Sequence, residues 1–443
     1  MIRVRSVLSA FVVASFGFVL TTPAVHAAGA AGPVTELTLE QALAMARKRN
    51  RSLVVERARL AQAQTNIESA WAALFPTITA QGKYTHNDYH DVNAPLPFGS
   101  PNAVSRPILL QEQLDAAVNV SMPLIAPPAY PALEAVKANV RASEANFEVS
   151  EDQVLFSVAQ TFYAAGIADE VLVARRSSVD VARVTLDNAR TRKEAGTVTK
   201  VDMDRAELAL VRAQQQEREA ITARDQTYRA LATLIQADAS FHVSIPPQGA
   251  AYRVDNQSMD LALHLRPEFR AYEETVRSAD SQRRAYFWRW SPTLSAFGGA
   301  RAFNYYSFAA KQYGWSVGLQ LDWVIYDGGT RDAQRHLAAA QAEEALARTE
   351  VLRDSINDDL INGSRSLETK QKAVETAERS VALARETLDL VRTQYEAGSV
   401  TQVDLLQAQD SLVAVQESLA QAHYDVAIAD LTLRRAVGTF PGQ

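Results

Sequence analysis

Glu194-Ala195-Gly196-Thr197-Val198-Thr199-Lys200-Val201-Asp202 returns 202 residues later as Glu396-Ala397-Gly398-Ser399-Val400-Thr401-Gln402-Val403-Asp404. Each copy carries the chemistry of one helix ending and another beginning. Gly196 and Gly398 stand where a helix can close with a left-handed residue. Thr199 and Thr401 can cap the next helix. Asp202 and Asp404 follow three residues on, which makes a capping box with Asp in place of Glu. The acid also suits the positive end of the helix dipole. The stretch reads as the tip of a helical hairpin, present twice.

The flanking sequence supplies the two arms. Val374, Ala377, Val381, Ala384, Leu388, Val391 and Tyr395 alternate by three and four before the second tip. Leu405, Ala408, Leu412, Val415, Leu419, Ala422, Val426, Ala429, Leu433 and Ala436 do the same after it. Sustained a/d heptads of this kind pack two antiparallel helices along a continuous seam. Around the first tip the pattern runs through Leu172, Val179, Ala182, Leu186 and Ala189, then Met203, Ala206, Leu210 and Ala213. It weakens where Glu217 and Arg224 fall in register. Alanine, at 75 residues, is the compositional outlier of the 443-residue chain and fits closely packed helices.

The repeat extends beyond the tips. Residues 50–76 align with 266–292 at an offset of 216. A period near 200 is too long for a solenoid unit and reads as a duplicated domain-sized unit. Each copy runs helix, two strand-like runs, very long helix, turn, return helix. The first copy spans 28–236, with one helix at 39–74, a β-hairpin at about 77–124, a long helix at 132–195 and a return helix at about 201–236. The second spans 261–443, with a helix at 266–290, a hairpin at about 293–325, a long helix at 331–397 and a return helix at 403–437. An irregular connector, 237–260, lies between them and contains Pro246, Pro247 and Gly249. The first hairpin carries about 15 extra residues, in a loop around 86–112.

The strand-like runs alternate with period two. Ile78, Ala80, Gly82 and Tyr84 interleave with Thr77, Thr79, Gln81, Lys83 and Thr85. Leu114, Ala116, Val118, Val120 and Met122 form one face of the next run; Tyr313, Trp315, Val317, Leu319, Leu321 and Trp323 form another. Runs of about 10 residues suit tilted outer-membrane strands. Phe303, Tyr305, Tyr306, Phe308, Tyr313 and Trp315 cluster as an aromatic girdle would. Four strands cannot close a barrel, and an open edge cannot sit in lipid. Strands in a membrane would therefore require several chains to share one barrel. A soluble four-stranded sheet packed on helices is the competing reading.

Residues 1–27 have the pattern of a secretory signal peptide: Arg3 and Arg5, an apolar stretch, and Val25-His26-Ala27 as a cleavage site. Zero cysteine excludes disulfides, thiolate metal sites and a lipid-modified cysteine. A net charge of −6 argues against a nucleic-acid partner. No P-loop, HExxH, GxSxG or post-strand GxGxxG occurs, so no enzyme chemistry and no cofactor are expected. His86, Asp88, His90 and Asp91 are the one metal-like grouping. They lie where a strand enters a loop and read as solvated, so no metal site is expected either.

The ordered set as a whole resembles the TolC family of outer-membrane efflux proteins. It comprises the signal peptide, the duplicated plan, the two tips, Leu37-Thr38-Leu39-Glu40-Gln41-Ala42-Leu43, and Tyr326-Asp327-Gly328-Gly329 before the second long helix. The fold class expected is an α+β membrane protein. Long antiparallel coiled-coil helices would form an α-barrel, and four strands per protomer would enter a shared trimeric 12-stranded β-barrel. The resemblance implies a homotrimer held in outer-membrane lipid of a Gram-negative bacterium and extending into the periplasm; the lipid anchor that some relatives add is not expected here, since the sequence has no cysteine to carry it. It implies a duct for efflux or type I secretion, joined to a periplasmic adaptor protein and an inner-membrane pump of RND, ABC or MFS type. It places adaptor docking at Gly196, Thr197, Val198 and Thr199, and at Gly398, Ser399, Val400 and Thr401. Asp404 matches an acidic gate position of the family. Gln407 stands where some relatives have a second acid, and Val400 where some have an arginine. A different polar network is therefore expected at the gate, drawn from Asp202, Asp204 and Arg205. The first strand-to-helix turn, Ala126-Pro127-Pro128, departs from the second and should bend differently. Two alternatives come from other classes. A periplasmic coiled-coil scaffold or adaptor is opposed by the strand alternation, and a trimeric surface adhesin by the duplicated tip.

Overall fold

The computed structural model describes residues 36–88, 92–96, 104–245, 258–304 and 312–440. The signal-peptide stretch, His90, Asp91, Tyr305, Tyr306 and Phe308 lie outside them. The elements run α1 (Leu39–Arg49), α2 (Arg51–Ala72), β1 (Thr77–His86), β2 (Val92–Leu96), β3 (Val104–Leu109), β4 (Glu112–Ile125), α3 (Ala129–Glu194) and α4 (Lys200–Ile235). The second copy follows as α5 (Ser258–Leu265), α6 (Pro267–Trp288), β5 (Thr293–Phe303), β6 (Tyr313–Asp322), α7 (Thr330–Glu396) and α8 (Gln402–Val437).

The coiled-coil reading holds at the level of single side chains. In α7, Ala377 and Val381 are buried, and Val374, Ala384, Leu388, Val391 and Tyr395 are half-buried between exposed neighbours. In α8, Leu405, Ala408, Ala422, Val426, Ala429, Leu433 and Ala436 are buried. Helix α3 packs along α4, and α7 along α8. The two polar intrusions are satisfied. Glu217 lies 3.6 Å from Arg176, and Arg224 donates to Asp169 at 2.5 Å while stacking on the Tyr228 ring. With 66 and 67 residues, α3 and α7 each extend roughly 100 Å at 1.5 Å per residue. Towards the sheet, α3 packs on α2 and α6 instead. One long strut thus runs beside two shorter partners in turn.

Three readings need correction. The helix expected over 39–74 is two helices, parted at Asn50, whose backbone is extended at φ −60°, ψ 128°. Its Oδ1 accepts from the Ser52 and Leu53 amides, and its Nδ2 donates to the Leu234 carbonyl at 2.8 Å. A side chain that caps α2 and ties it to α4 outcompetes continuation of the helix. The break recurs at the aligned position, where extended Arg266 precedes Pro267 at the start of α6. Helix α5 also begins inside the connector, at Ser258. The extra residues of the first hairpin are not a plain loop: β2 and β3 pair antiparallel as a separate two-stranded extension.

At mid-height the chain builds a true core, which the seams alone did not predict. Leu37, Leu155, Phe162, Tyr228, Leu231, Ile235, Leu431 and Phe440 are among the buried residues that join α1, α3, α4 and α8. Leu37 bridges to Val243 of the connector. Tyr228 donates to Asp169, and its hydroxyl is pushed up to about 12 by burial and that bond.

The sheet is antiparallel with order β1-β4-β5-β6. Both faces are open. On one, Trp315 is 78% exposed and Val317 74%, beside Ile78, Leu114, Leu319 and Leu321. The other carries Thr77, Thr79, Gln81 and Lys83, with Asp115 held by Arg301. The two strand-to-helix junctions differ. Pro128 starts α3 in a helical conformation, whereas Gly328 and Gly329 take φ +70° and +88° before α7. There, Asp327 accepts from both the amide and the guanidinium of Arg331, which stacks on Trp290. No helix among the described residues is long and apolar enough to cross a membrane.

Candidate functional site

The two tips have the same bond pattern. Helix α3 ends as the Gly196 amide donates to the Lys193 carbonyl and the Thr197 amide to Arg192, with Gly196 at φ +75°. Helix α7 ends with Gly398 to Tyr395 and Ser399 to Gln394, Gly398 at φ +77°. An added Cβ at either glycine meets open space, so the requirement is conformational rather than steric. Gly196, Thr197, Thr199, Gly398, Ser399 and Thr401 are exposed; Val198 and Val400 are half-buried. The tips thus present small polar surfaces over one apolar residue each.

Asp202 and Asp404 complete capping boxes. The Thr199 hydroxyl and amide donate to Asp202 at 2.7 and 3.1 Å, and those of Thr401 to Asp404 at 2.6 and 2.9 Å. The threonine hydroxyl first, then its amide, holds each carboxyl below the usual aspartate range. Both therefore stay ionised at neutral pH, as fixed negative charges at the ends of the hairpins. Arg205 lies 3.7 Å from Asp202. Asp204 and Gln407 are exposed. Arg205 and Gln407 line one groove of about 870 Å³ over α3, with α4 on one side and α8 on the other. Arg205 and Gln407 thus border the same groove, while Asp202 and Asp404 stand outside it in their caps.

Sequence reasoning missed the seam between the hairpins. Between the tips and the mid-height core, α3 faces α7 and α8 of the second hairpin, and its side-chain bonds there are polar where the seams within the hairpins are apolar. Arg192 donates to the Tyr395 and Glu396 carbonyls at 3.3 and 3.4 Å and lies 4.8 Å from the Tyr395 ring. Gln409 donates to Thr185 at 3.2 Å, and Arg175 to Glu417 at 2.9 Å. Gln402 is buried with no partner for its amide among the described residues. Thr185 and Arg192, like Gln402 and Gln409, are seven apart. That spacing, on the flank of the a/d stripe, was the available signal.

At the sheet end, a second aromatic girdle lies where strands meet helices. Trp323 donates to the Trp290 carbonyl at 3.2 Å, and Trp71, Phe75, Phe287, Trp288 and Tyr326 are exposed nearby in sequence. The girdle read from the sequence lay at the other end, at Tyr313 and Trp315. No metal-binding group of three or more side chains occurs among the described residues. His86 instead contacts Glu112, at 2.5 Å.

The family model for outer membrane efflux proteins matches residues 42–237 and 259–439. The outer membrane efflux protein BepC of Brucella suis is 26% identical over 419 residues, which cover 90% of this chain and 85% of that one. The alkaline protease secretion protein AprF of Pseudomonas aeruginosa is 24% identical over 309 residues, 67% and 63% of the two chains. Among solved structures, the outer membrane protein VceC of Vibrio cholerae superposes with a TM-score of 0.75 at 17% identity, covering 91% of this chain and 96% of that one. Fold and chain plan are shared over about nine-tenths of the chain.

Proposed function

The chain belongs to the outer membrane efflux protein family and is an outer-membrane channel that reaches into the periplasm, not an enzyme; from that premise we propose that three copies form one duct, closed at the helical tips and docked there by a periplasmic adaptor. The observation that carries the trimer is the sheet. Edge strands β1 and β6 each have a single neighbour, and one face is apolar and exposed. In lipid, each unpaired backbone group costs several kcal/mol. Three copies joined edge to edge, β6 to the next β1, remove every open edge and turn the apolar faces outward. The pairing is antiparallel at each joint, as it is within the chain.

The tips are the proposed docking and gating end. Gly196 to Thr199 and Gly398 to Thr401 are exposed, small and built alike, so a hairpin partner can approach both. The acids Asp202 and Asp404 would ring the opening. The polar seam that α3 makes with α7 and α8, on the tip side of the mid-height core, is the line along which the second hairpin would part from the first. It is held by Arg192, Gln409 and Arg175, whereas farther from the tips Leu431 joins α8 to the apolar core beside α3. An inner-membrane pump supplies the cargo through the adaptor.

Single-channel recording in planar bilayers tests this reading. Asp404→Ala removes one gate charge per copy and is expected to raise conductance and weaken cation preference. Unchanged conductance and selectivity would remove Asp404 from the gate.

A further inference from the structure

Just below the girdle at the strand-to-helix junction, α6 and α7 enclose a groove of about 380 Å³ lined by Arg283, Arg284, Phe287, Arg335, His336 and Ala339. Two carboxylates answer these bases. Asp280 takes Arg283 at 2.6 Å and Arg284 at 3.3 Å. Asp332 takes Arg335 at 2.9 Å, with His336 at 3.8 Å. Glu134 of α3 also lies within electrostatic reach of Arg284 but is bonded to Lys137, so the three guanidiniums share the groove with two directly paired carboxylates. The arginine side chains stay 44–60% exposed, so their donors are not used up by packing.

The duplication provides an internal control. Counted from the ends of α2 and α6, and from the starts of α3 and α7, the first copy has Ile67, Glu68 and Trp71, then Glu134, Ala135 and Ala138, at these six places. The same helix packing is thus achieved without the arginine cluster: one base, Lys137, stands there, paired with Glu134 and lying over Trp71. The fold does not require the arginines.

Depth sets the ligand. Arg283 and Arg335 stand five residues from the helix ends nearest the sheet, about 7 Å along the axis at 1.5 Å per residue. The headgroup layer on one side of a bilayer is about 5–7 Å thick. Below an aromatic girdle, that is the level of lipid phosphate. Phe287, 59% exposed, adds an apolar wall on the membrane side.

We propose that this groove binds the phosphate headgroup of an anionic phospholipid of the periplasmic leaflet, once in each protomer and only in the second copy. Arginine forks match phosphate oxygens in pairs. The proposal rests on the outer-membrane placement of the sheet. It adds a lipid site that the transport reading does not need.

The test uses the assembled full chain in nanodiscs of phosphatidylcholine with 30% phosphatidylglycerol, and counts retained lipids by native mass spectrometry. Wild type is expected to retain phosphatidylglycerol enriched about fivefold over its bulk share. Arg283→Gln/Arg335→Gln should reduce this to parity, and Glu68→Gln should leave it unchanged. If the arginine double variant does not assemble, Arg335→Gln alone carries the comparison and should lose at least half of the enrichment. No enrichment in wild type, or enrichment that survives the arginine changes, overturns the site. Retention of inorganic phosphate without lipid enrichment assigns the groove to a soluble anion and overturns the lipid. Conductance of the same variants separates the two accounts: a conducting channel without lipid preference sinks only this proposal.

Discussion

Arg192 is the tie between the two hairpins that lies nearest the tips, and its removal should open the channel. Its guanidinium donates to two carbonyls at the end of α7, at 3.3 and 3.4 Å, and stacks on Tyr395 at 4.8 Å. The hydrogen bonds are long and half-solvated, so each is worth about 0.5–1 kcal/mol, at the low end for a charged donor. The ring contact adds about 0.5–1 kcal/mol at such a site. Arg192→Ala therefore removes about 2 kcal/mol of closed-state stabilisation per protomer, an opening equilibrium shifted by roughly 30-fold. If the three hairpins part together, the shift compounds towards roughly 10⁴. The assay is open probability in planar bilayers at low voltage. Arg192→Lys keeps the charge but loses the fork, and should fall between alanine and wild type. Arg190→Ala, which removes only a surface pair 3.7 Å from Asp187, is the control and should do nothing. An assembled Arg192→Ala channel with wild-type open probability, or an equal effect from Arg190→Ala, would refute the seam as the opening line.

Asp404→Asn separates the two roles of that residue: the amide oxygen can still cap Thr401, so helix stability should hold within ~1 kcal/mol while the conductance change matches that of Asp404→Ala. Thermal unfolding and single-channel recording on the same preparation check it. Asp152, in α3 beside Arg435 and three glutamates, is pushed up to about 6, chiefly by burial. Its proton is held more tightly folded than unfolded, so ionising it weakens the fold as pH rises from about 4 to 6. Asp152→Asn should stabilise each protomer by at most about 3 kcal/mol at pH 7.5 and change little at pH 4. Melting curves of the assembled protein at the two pH values read the difference, and an equal effect at both removes burial of the charge as the cause.

The parts of the fold that follow a short period were legible in the sequence. Heptads in α7 and α8 appear as buried Ala377, Val381, Leu405 and Ala408, and the period-two runs as the exposed apolar face of Trp315, Val317 and Leu319. The tips were legible because Gly and Thr-x-x-Asp name their own backbone geometry. The break at Asn50 was not, because it depends on a carbonyl of α4, at Leu234, that is distant in sequence. The seam between hairpins was not legible for the same reason. A polar stripe spaced by seven looks like a solvated flank until the second hairpin is placed against it. The site residues split accordingly. Asp202 and Asp404 stand in the caps that local spacing implied, whereas Arg192, Thr185 and Gln409 emerge only from the tertiary contact. The basic groove at Arg283 and Arg335 looks like ordinary surface charge until the two copies are compared at equal depth.

The central claim is that three chains close one barrel through their free edges, and disulfide mapping tests it most directly. The chain has no native cysteine, so a pair scanned along β1 (Thr77–His86) and β6 (Tyr313–Asp322) reports only the engineered contact. The account predicts covalent trimers under oxidation, with yields alternating every second residue as side chains switch faces. Dimers alone, or no cross-link at any register in outer-membrane preparations, would contradict it.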